Sequence, residues 1–151
     1  MILGTGVDIV ECARIEELVA EHGRRFVRRV FTLEEEAYCR AQRRPREHFA
    51  ARFAAKEAVL KALGTGWVSG IAWNNVRISR TESGKPEVTL AGGAAEVARR
   101  LGVERVLVSV SHCAEYAVAH AIAEGPGPER GEEPTPGGDG RLRENTGEEM
   151  Q

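Results

Sequence analysis

The apolar residues of this chain recur with a period of two in some stretches and of about 3.6 in others, and the switches mark out most of its elements. Residues 1 to 10, MILGTGVDIV, are β-prone and apolar on both alternating faces, with Leu3, Val7 and Ile9 on one and Ile2 and Val10 on the other, as in an inner strand. Asp8 interrupts the second face. Gly4 and Gly6 beside it leave room for something to come close to the backbone. Helical spacing takes over from about Glu11 to His22, where Ile15, Leu18 and Val19 repeat at i, i+3 and i+4 and Gly23 reads as the residue that closes the helix. In RRFVRRVF, residues 24 to 31, Phe26, Val27, Val30 and Phe31 make a short helical face opposite Arg24, Arg25, Arg28 and Arg29. Thr32 and Glu35 then form a capping box for LEEEAYCRAQ, a helix that stops before Pro45.

The strongest helix signal is Phe49 to Leu63, FAARFAAKEAVLKAL, in which six of fifteen residues are alanine and none is glycine or proline. At about 100° per residue, Phe49, Phe53, Leu60 and Leu63 share one stripe, with Lys56 in its middle and Glu57 at its edge. Two charges therefore stand where a core helix is normally apolar. Ala51, Ala55, Ala58 and Ala62 make a small opposite face that another backbone can approach closely. Beyond it, residues 64 to 75 are turn-rich, VRISR (76 to 80) and PEVTL (86 to 90) read as a scaffold hairpin around TESGK, and 93 to 102 read as a helix. RVLVSVS (105 to 111) and YAVAHAIAE (116 to 124) alternate as two strands expected to pair antiparallel.

The chain has 151 residues, enough for one domain with a real core. Its net charge of -2 conceals an asymmetric end: residues 125 to 151 hold seven acids, three arginines, seven glycines and four prolines. With Leu142 and Met150 as its only sizeable apolar residues, this segment lacks the means to offset its ordering entropy, and it reads as a disordered tail behind a domain of residues 1 to 124. Cys12, Cys39 and Cys113 are odd in number and never in a CxxC pair, which argues against a disulfide framework or zinc knuckle and for a reducing, cytoplasmic setting. The N-terminus lacks the basic flank of a signal peptide, and no run approaches a membrane span. Nine arginines crowd the N-terminal third, from Arg14 to Arg46, a surface suited to an anionic partner. Nucleic acid is the weaker candidate, because aromatic residues make up only 5% of the chain and no stacking motif is present.

Two acids in costly positions carry the chemistry. Asp8 is either an N-cap for the next helix or a metal ligand at a strand's end. Glu57 is either half of an ion pair, with Lys61 at i, i+4 or with Lys56, or a second ligand of Mg²⁺ bound together with a polyphosphate near Arg52, Lys56 and Lys61. Ser109, Ser111 and His112, at the exit of the first late strand, are groups able to bind phosphate oxygens. No GxSxG elbow supports a nucleophilic triad, and the GxG of residues 4 to 6 lacks the third glycine of a dinucleotide fold.

Four motifs in order, GTGVDIVE (4 to 11), ARFAAKEAVLKALGTG (51 to 66), SGKP (83 to 86) and VSVSH (108 to 112), resemble those of the holo-[acyl-carrier-protein] synthases over residues 1 to 124. These are the short, single-domain phosphopantetheinyl transferases. The resemblance implies an α+β fold with an antiparallel sheet packed around a long central helix, assembled as a homotrimer with active sites shared between subunits. It implies transfer of 4′-phosphopantetheine from coenzyme A to a serine of apo acyl carrier protein, with release of adenosine 3′,5′-bisphosphate, in fatty-acid or polyketide synthesis. Residue by residue, it makes Asp8 and Glu57 the Mg²⁺ ligands and Glu57 and Lys61 the catalytic pair, with Lys61 on the pyrophosphate. Arg52 and His112 go to the nucleotide end, Gly64, Thr65 and Gly66 to close approach of the coenzyme, and Arg14, Arg24 and Arg28 to the acidic helix of the carrier. In the larger, two-domain transferases the first motif reads DxE, and the matching position here is Val10. The acceptor of the serine proton stays open between a water, Glu57 and Lys61.

Overall fold

The structure, a computed structural model, describes residues 1–66 and 70–126; the expected tail beyond Pro126 lies outside them. In chain order the elements are β1 (Ile2–Glu11), α1 (Cys12–Val30), α2 (Leu33–Arg40), α3 (Pro45–Ala62), β2 (Val76–Arg80), β3 (Pro86–Leu90), α4 (Gly92–Leu101), β4 (Arg105–His112) and β5 (Tyr116–Glu124), with a 3₁₀ turn at Trp73–Asn75 before β2. Strands β1, β5 and β4 form an antiparallel sheet in that spatial order, and β2 and β3 form a separate hairpin.

Helix α3 is the axis of the fold. It begins ahead of the expected Phe49 because Pro45 takes a first-turn position, where the missing N–H has no intrahelical partner to lose. Twelve of its eighteen residues are buried, so it is wrapped on most sides. The alanine face lies on the sheet of the same chain. A Cβ added at Gly4 would stand 2.0 Å from the Ala62 carbonyl oxygen, and one at Gly6 2.0 Å from that of Ala58. From β5, Ala117, Ala119, Ala121 and Ala123 present equally small side chains to the helix side and are fully buried. Small residues on both surfaces let helix and sheet approach to backbone contact, which is why neither glycine tolerates a side chain.

Strand β1 is not the inner strand its double apolar pattern predicts. It is an edge of the sheet, and β5 is the inner strand. The face of β1 turned from α3 carries Val7 and Ile9, which are 58% and 66% exposed, and continues across the sheet through Tyr116, Val118 and Leu107. The second apolar stripe is thus not a core stripe of this chain.

Helix α1 continues past Gly23, where a positive φ of 56° breaks the regular turn before the arginine-rich segment resumes it. Gly23 has the positive φ expected of a closing residue, but its ψ of -138° lies outside the left-handed helical region and the chain re-enters the helix. The capping box is formed as expected, Thr32 Oγ1 accepting from Glu35 N at 3.2 Å and Glu35 Oε1 accepting from Thr32 N at 2.9 Å.

Lys56, the charge in the middle of the apolar stripe, is fully buried and bonded on all three of its protons. Its Nζ donates to Glu35 Oε1 at 2.9 Å, to the Val76 carbonyl at 2.6 Å and to the Trp73 carbonyl at 3.3 Å. Glu35 also accepts from Ile78 N at 3.3 Å. One buried ion pair therefore ties the start of α2, the middle of α3 and the head of β2 together. This commits Lys56 to Glu35 and removes it from the alternatives considered for Glu57.

Candidate active site

A cleft of about 480 Å³ opens between the end of β1 and α3, lined by Asp8, Val10, Glu11, Arg14, Phe53, Glu57, Lys61 and Tyr116 among others. Phe53, Glu57 and Lys61 reach it from successive turns of α3 at i, i+4 and i+8, and Asp8 from the helix-facing side of β1. Asp8 is in mid-strand, and the residue that caps α1 is Glu11, so the N-cap reading of Asp8 is excluded. Lys61 Nζ donates to Asp8 Oδ1 and to the Val7 carbonyl, each at 2.9 Å. The Asp8 side chain is 16% exposed and that of Lys61 50%. Among the described residues no group of three or more histidines, cysteines and acids is arranged to hold a metal. A pair of carboxylates on facing elements is nevertheless the donor set that Mg²⁺ uses when phosphates and waters complete its octahedron. Asp8 and Glu57 fit it.

Arg52 and His112 come together elsewhere, in a pocket of about 140 Å³ that they share with Tyr38, His48, Arg80, Gly84, Pro86 and Val110. The Arg52 guanidinium lies 4.1 Å from the centre of the Tyr38 ring. Arg52 is 8% exposed, and its Nε is buried with no hydrogen-bond partner among the described residues. An orphaned guanidinium N–H beside a small basic pocket is a place for an anion. Arg80 donates to the Gly84 carbonyl at 2.8 Å and to the Tyr38 hydroxyl. The His112 ring stacks edge-on to that of His48 at 4.9 Å between centroids, and its Nδ1 is 3.1 Å from Glu47 Oε2. Burial, joined by the positive charges of His112 and Arg52, pushes the His48 imidazole down.

The hairpin expected to be scaffold is therefore also a wall of this pocket, through Arg80, Gly84 and Pro86. Its signal was the SGKP motif, whose glycine and proline are the residues that line the pocket. Glu47, His48, Tyr38 and Arg80 went unremarked in the sequence because their proximity to His112 is set by α3 meeting the end of β4, a contact that spans 65 residues of chain in the case of Glu47.

Gly64 and Gly66 follow α3 with φ of 69° and 53°, and apart from their chain neighbours no described residue lies within 4 Å of a Cβ added at either. Thr65 Oγ1 is buried without a hydrogen-bond partner among the described residues. Neither glycine lines the cleft or the Arg52 pocket. Arg14 stands at the cleft, and Arg24 and Arg28 are exposed on α1 beyond Gly23. Among the described residues none of the three is in an ion pair.

The family model of the 4′-phosphopantetheinyl transferase superfamily matches residues 4–121. The holo-[acyl-carrier-protein] synthase of Koribacter versatilis is 48% identical over 124 residues, covering 82% of this chain and 99% of that protein. Among solved structures, holo-[acyl-carrier-protein] synthase from Neisseria meningitidis superposes with a TM-score of 0.75 at 36% identity, covering 82% of this chain and 99% of that one. The Helicobacter pylori enzyme in complex with coenzyme A superposes with a TM-score of 0.71 at 29% identity, covering 80% and 99%. With its two-carboxylate cleft, its basic pocket and these likenesses over the whole of the relatives' length, the chain belongs to the 4′-phosphopantetheinyl transferase superfamily, among its holo-[acyl-carrier-protein] synthases.

Proposed function

We propose that this protein transfers 4′-phosphopantetheine from coenzyme A to a serine of apo acyl carrier protein in fatty-acid synthesis, as a Mg²⁺-dependent, cytoplasmic homotrimer. The observation that carries the reading is the cleft in which Asp8 and Glu57 face each other from β1 and α3 beside Lys61. The coenzyme A bound by the Helicobacter pylori relative supports the donor.

Asp8 and Glu57 would hold Mg²⁺, which when bound supplies a Lewis acid to the pyrophosphate oxygens. The serine oxygen attacks the phosphorus on the pantetheine side of the pyrophosphate. The bond from that phosphorus to the bridging oxygen breaks, and adenosine 3′,5′-bisphosphate leaves with the negative charge. Lys61, half-exposed and already held against Asp8 and the Val7 carbonyl, neutralises charge building on the departing phosphate. The serine proton passes to Glu57 or to water in the open cleft. Arg52 and His112 bind the 3′-phosphate, a guanidinium fork and an imidazolium N–H being suited to its oxygens. Gly64, Thr65 and Gly66 give the coenzyme close access to backbone. Arg14, Arg24 and Arg28 meet the acidic helix of the carrier, and replacing Arg24 and Arg28 by glutamine raises the carrier's KM if they do.

Two features support sharing of the site between copies. The cleft and the Arg52 pocket have no lining residue in common, and the apolar face of Val7, Ile9, Tyr116 and Val118 is uncovered in the single chain. A trimer buries that face and brings one copy's cleft to another's pocket. The test is incubation with apo carrier, coenzyme A and Mg²⁺, followed by mass spectrometry of the carrier. The expected result is a gain of one phosphopantetheine group that Asp8→Ala and Glu57→Ala abolish. Absence of the gain, with an established transferase active in parallel, refutes the assignment; wild-type activity in both variants makes the acids structural.

A further inference from the structure

Glu47 stands in the first turn of α3, where the helix dipole favours an acid, but with only 5% of its surface exposed. A carboxylate that deep is retained at a cost unless its oxygens are engaged. Both are: Oε1 accepts from Arg44 Nη1 at 3.3 Å, and Oε2 lies 3.1 Å from His112 Nδ1. Burial raises the Glu47 carboxyl, but the hydrogen bonds from His112 and Arg44 outweigh it and hold the group below its usual range. It is therefore an anion at neutral pH.

An ionised carboxylate only accepts, so His112 Nδ1 must carry the proton of this bond in either charge state of the ring. That leaves Nε2 as the nitrogen available to a ligand, an acceptor in the neutral ring and a donor to an anion in the protonated one. The ring is held on its flank by the edge-on contact with His48, and it terminates β4 in register with Ala117 of β5. Glu47 thus stands to His112 as the buried carboxylates of other enzymes stand to a working histidine: it selects the tautomer and fixes the ring's orientation.

We propose that Glu47 is a positioning residue for the nucleotide end of the site, holding the Nδ1–H edge of His112 so that, in the protonated ring, Nε2–H is turned to donate to an anionic group in the pocket shared with Arg52 and Arg80. The inference rests on the reading that this pocket takes the 3′-phosphate of coenzyme A. Glu47 itself does not line that pocket and acts on it only through His112.

The experiment compares coenzyme A with dephospho-coenzyme A, which lacks only the 3′-phosphate, by calorimetric titration and by KM, in the full chain and in Glu47→Gln, His112→Asn, the double variant and Arg52→Gln. Glutamine keeps an acceptor near Nδ1 but removes the charge that strengthens the bond. The expected result for E47Q is about a tenfold weaker affinity for coenzyme A, no change for dephospho-coenzyme A, an unchanged kcat, and a double variant no weaker than H112N alone. Equal losses for both coenzymes, or additive losses in the double variant, overturn the positioning role and leave Glu47 structural. If R52Q binds coenzyme A as the parent does, the underlying reading of the pocket fails; if R52Q weakens it and E47Q does not, only the present inference fails. Should E47Q not fold, the parent protein still decides. Nitrogen-15 spectra of its His112 ring at alkaline pH are expected to show the proton on Nδ1, and a proton on Nε2 overturns the proposal.

Discussion

Replacing Lys56 by methionine removes one half of the ion pair at the centre of the molecule. The methionine fills nearly the same volume, so the loss is electrostatic rather than a cavity. In the native chain the ammonium is fully buried and saturated, with bonds to Glu35, Val76 and Trp73. Burial pushes the Lys56 amine down and Glu35 pulls it back up, so the charge persists there only because its partner does. In K56M, Glu35 keeps its bonds from Thr32 N and Ile78 N but is left as a buried, uncompensated anion, and two backbone carbonyls lose their donor. Breaking a buried pair from one side costs about 3–5 kcal/mol. At ~2.1 cal/mol/K of unfolding entropy per residue, a folded core of roughly 120 residues carries on the order of 0.25 kcal/mol/K, so the melting temperature falls by about 12–20 °C. Circular dichroism melts of the parent, K56M, E35Q and E35Q/K56M measure this directly. The double variant removes both charges and keeps an amide oxygen for one of the two backbone N–H groups that Glu35 serves through separate oxygens, so it is expected to recover part of the K56M loss. A fall of less than about 4 °C in K56M, or a double variant as unstable as the sum of the singles, refutes the view that the pair is coupled and buried.

Gly6→Ala places a methyl 2.0 Å from the Ala58 carbonyl oxygen, a backbone atom in the middle of α3; the expected cost exceeds about 3 kcal/mol, read as a fall in the urea midpoint, and a parent-like midpoint refutes backbone contact between helix and sheet. Glu47 is held below its ordinary value of 4.5, so as pH falls the unfolded chain takes up this proton before the folded one does. Its contribution is present above that value and is lost as pH drops through the lower folded value, and E47Q is therefore expected to flatten the acid limb of a stability profile as pH falls below 4.5; an acid limb identical to the parent's refutes it. Mixing inactive Asp8→Ala with Arg52→Gln protein, after dissociation and reassembly and at a coenzyme A concentration too low for Arg52→Gln to turn over alone, is expected to restore activity if one chain's cleft works with another's pocket; no recovery, with mixed oligomers demonstrated, refutes sharing.

Much of this was legible in the chain, and the exceptions have a common cause. The hairpin, the capping box, the late strand pair and the extent of α3 to within a turn follow from local period and punctuation, which depend on neighbours a few residues away. Asp8 and Glu57 were legible as acids in costly positions with Lys61 nearby, and the motifs around them carried the family. Lys56 was not interpretable, because its partner is twenty-one residues distant and Glu35 already had a sufficient local explanation as the cap of α2. The misreading of β1 has the same origin. Apolar residues on both sides of a strand say that both sides are covered, but not by what. One side meets Ala58 and Ala62 through two glycines; the other is bare in the single chain. Glu47 and Arg80 became visible as neighbours of His112 only when α3, β2 and the end of β4 converged.

The arrangement of α3 explains why an active site built on it needs more than one surface. Phe53, Glu57 and Lys61 follow one another at i, i+4 and i+8 and so share a face, whereas Arg52 stands about 140° around the helix from Glu57. Between these faces the helix is held by its alanines against the sheet and by Lys56 against Glu35. It cannot rotate to bring Arg52 toward the acids, and nothing short of unfolding the Glu35 pair would let it. In the proposed sharing, a coenzyme with its pyrophosphate at Asp8 and Glu57 of one chain reaches the Arg52 guanidinium of another with its 3′-phosphate. The bare apolar face of β1 and β5 lies on the sheet that also carries Asp8, so burying that face against a second copy orders the surroundings of the cleft at the same time. In the proposed trimer the rigid, buried helix and the uncovered sheet face are two parts of one solution: the first holds the charged groups apart within a chain, and the second joins them between chains.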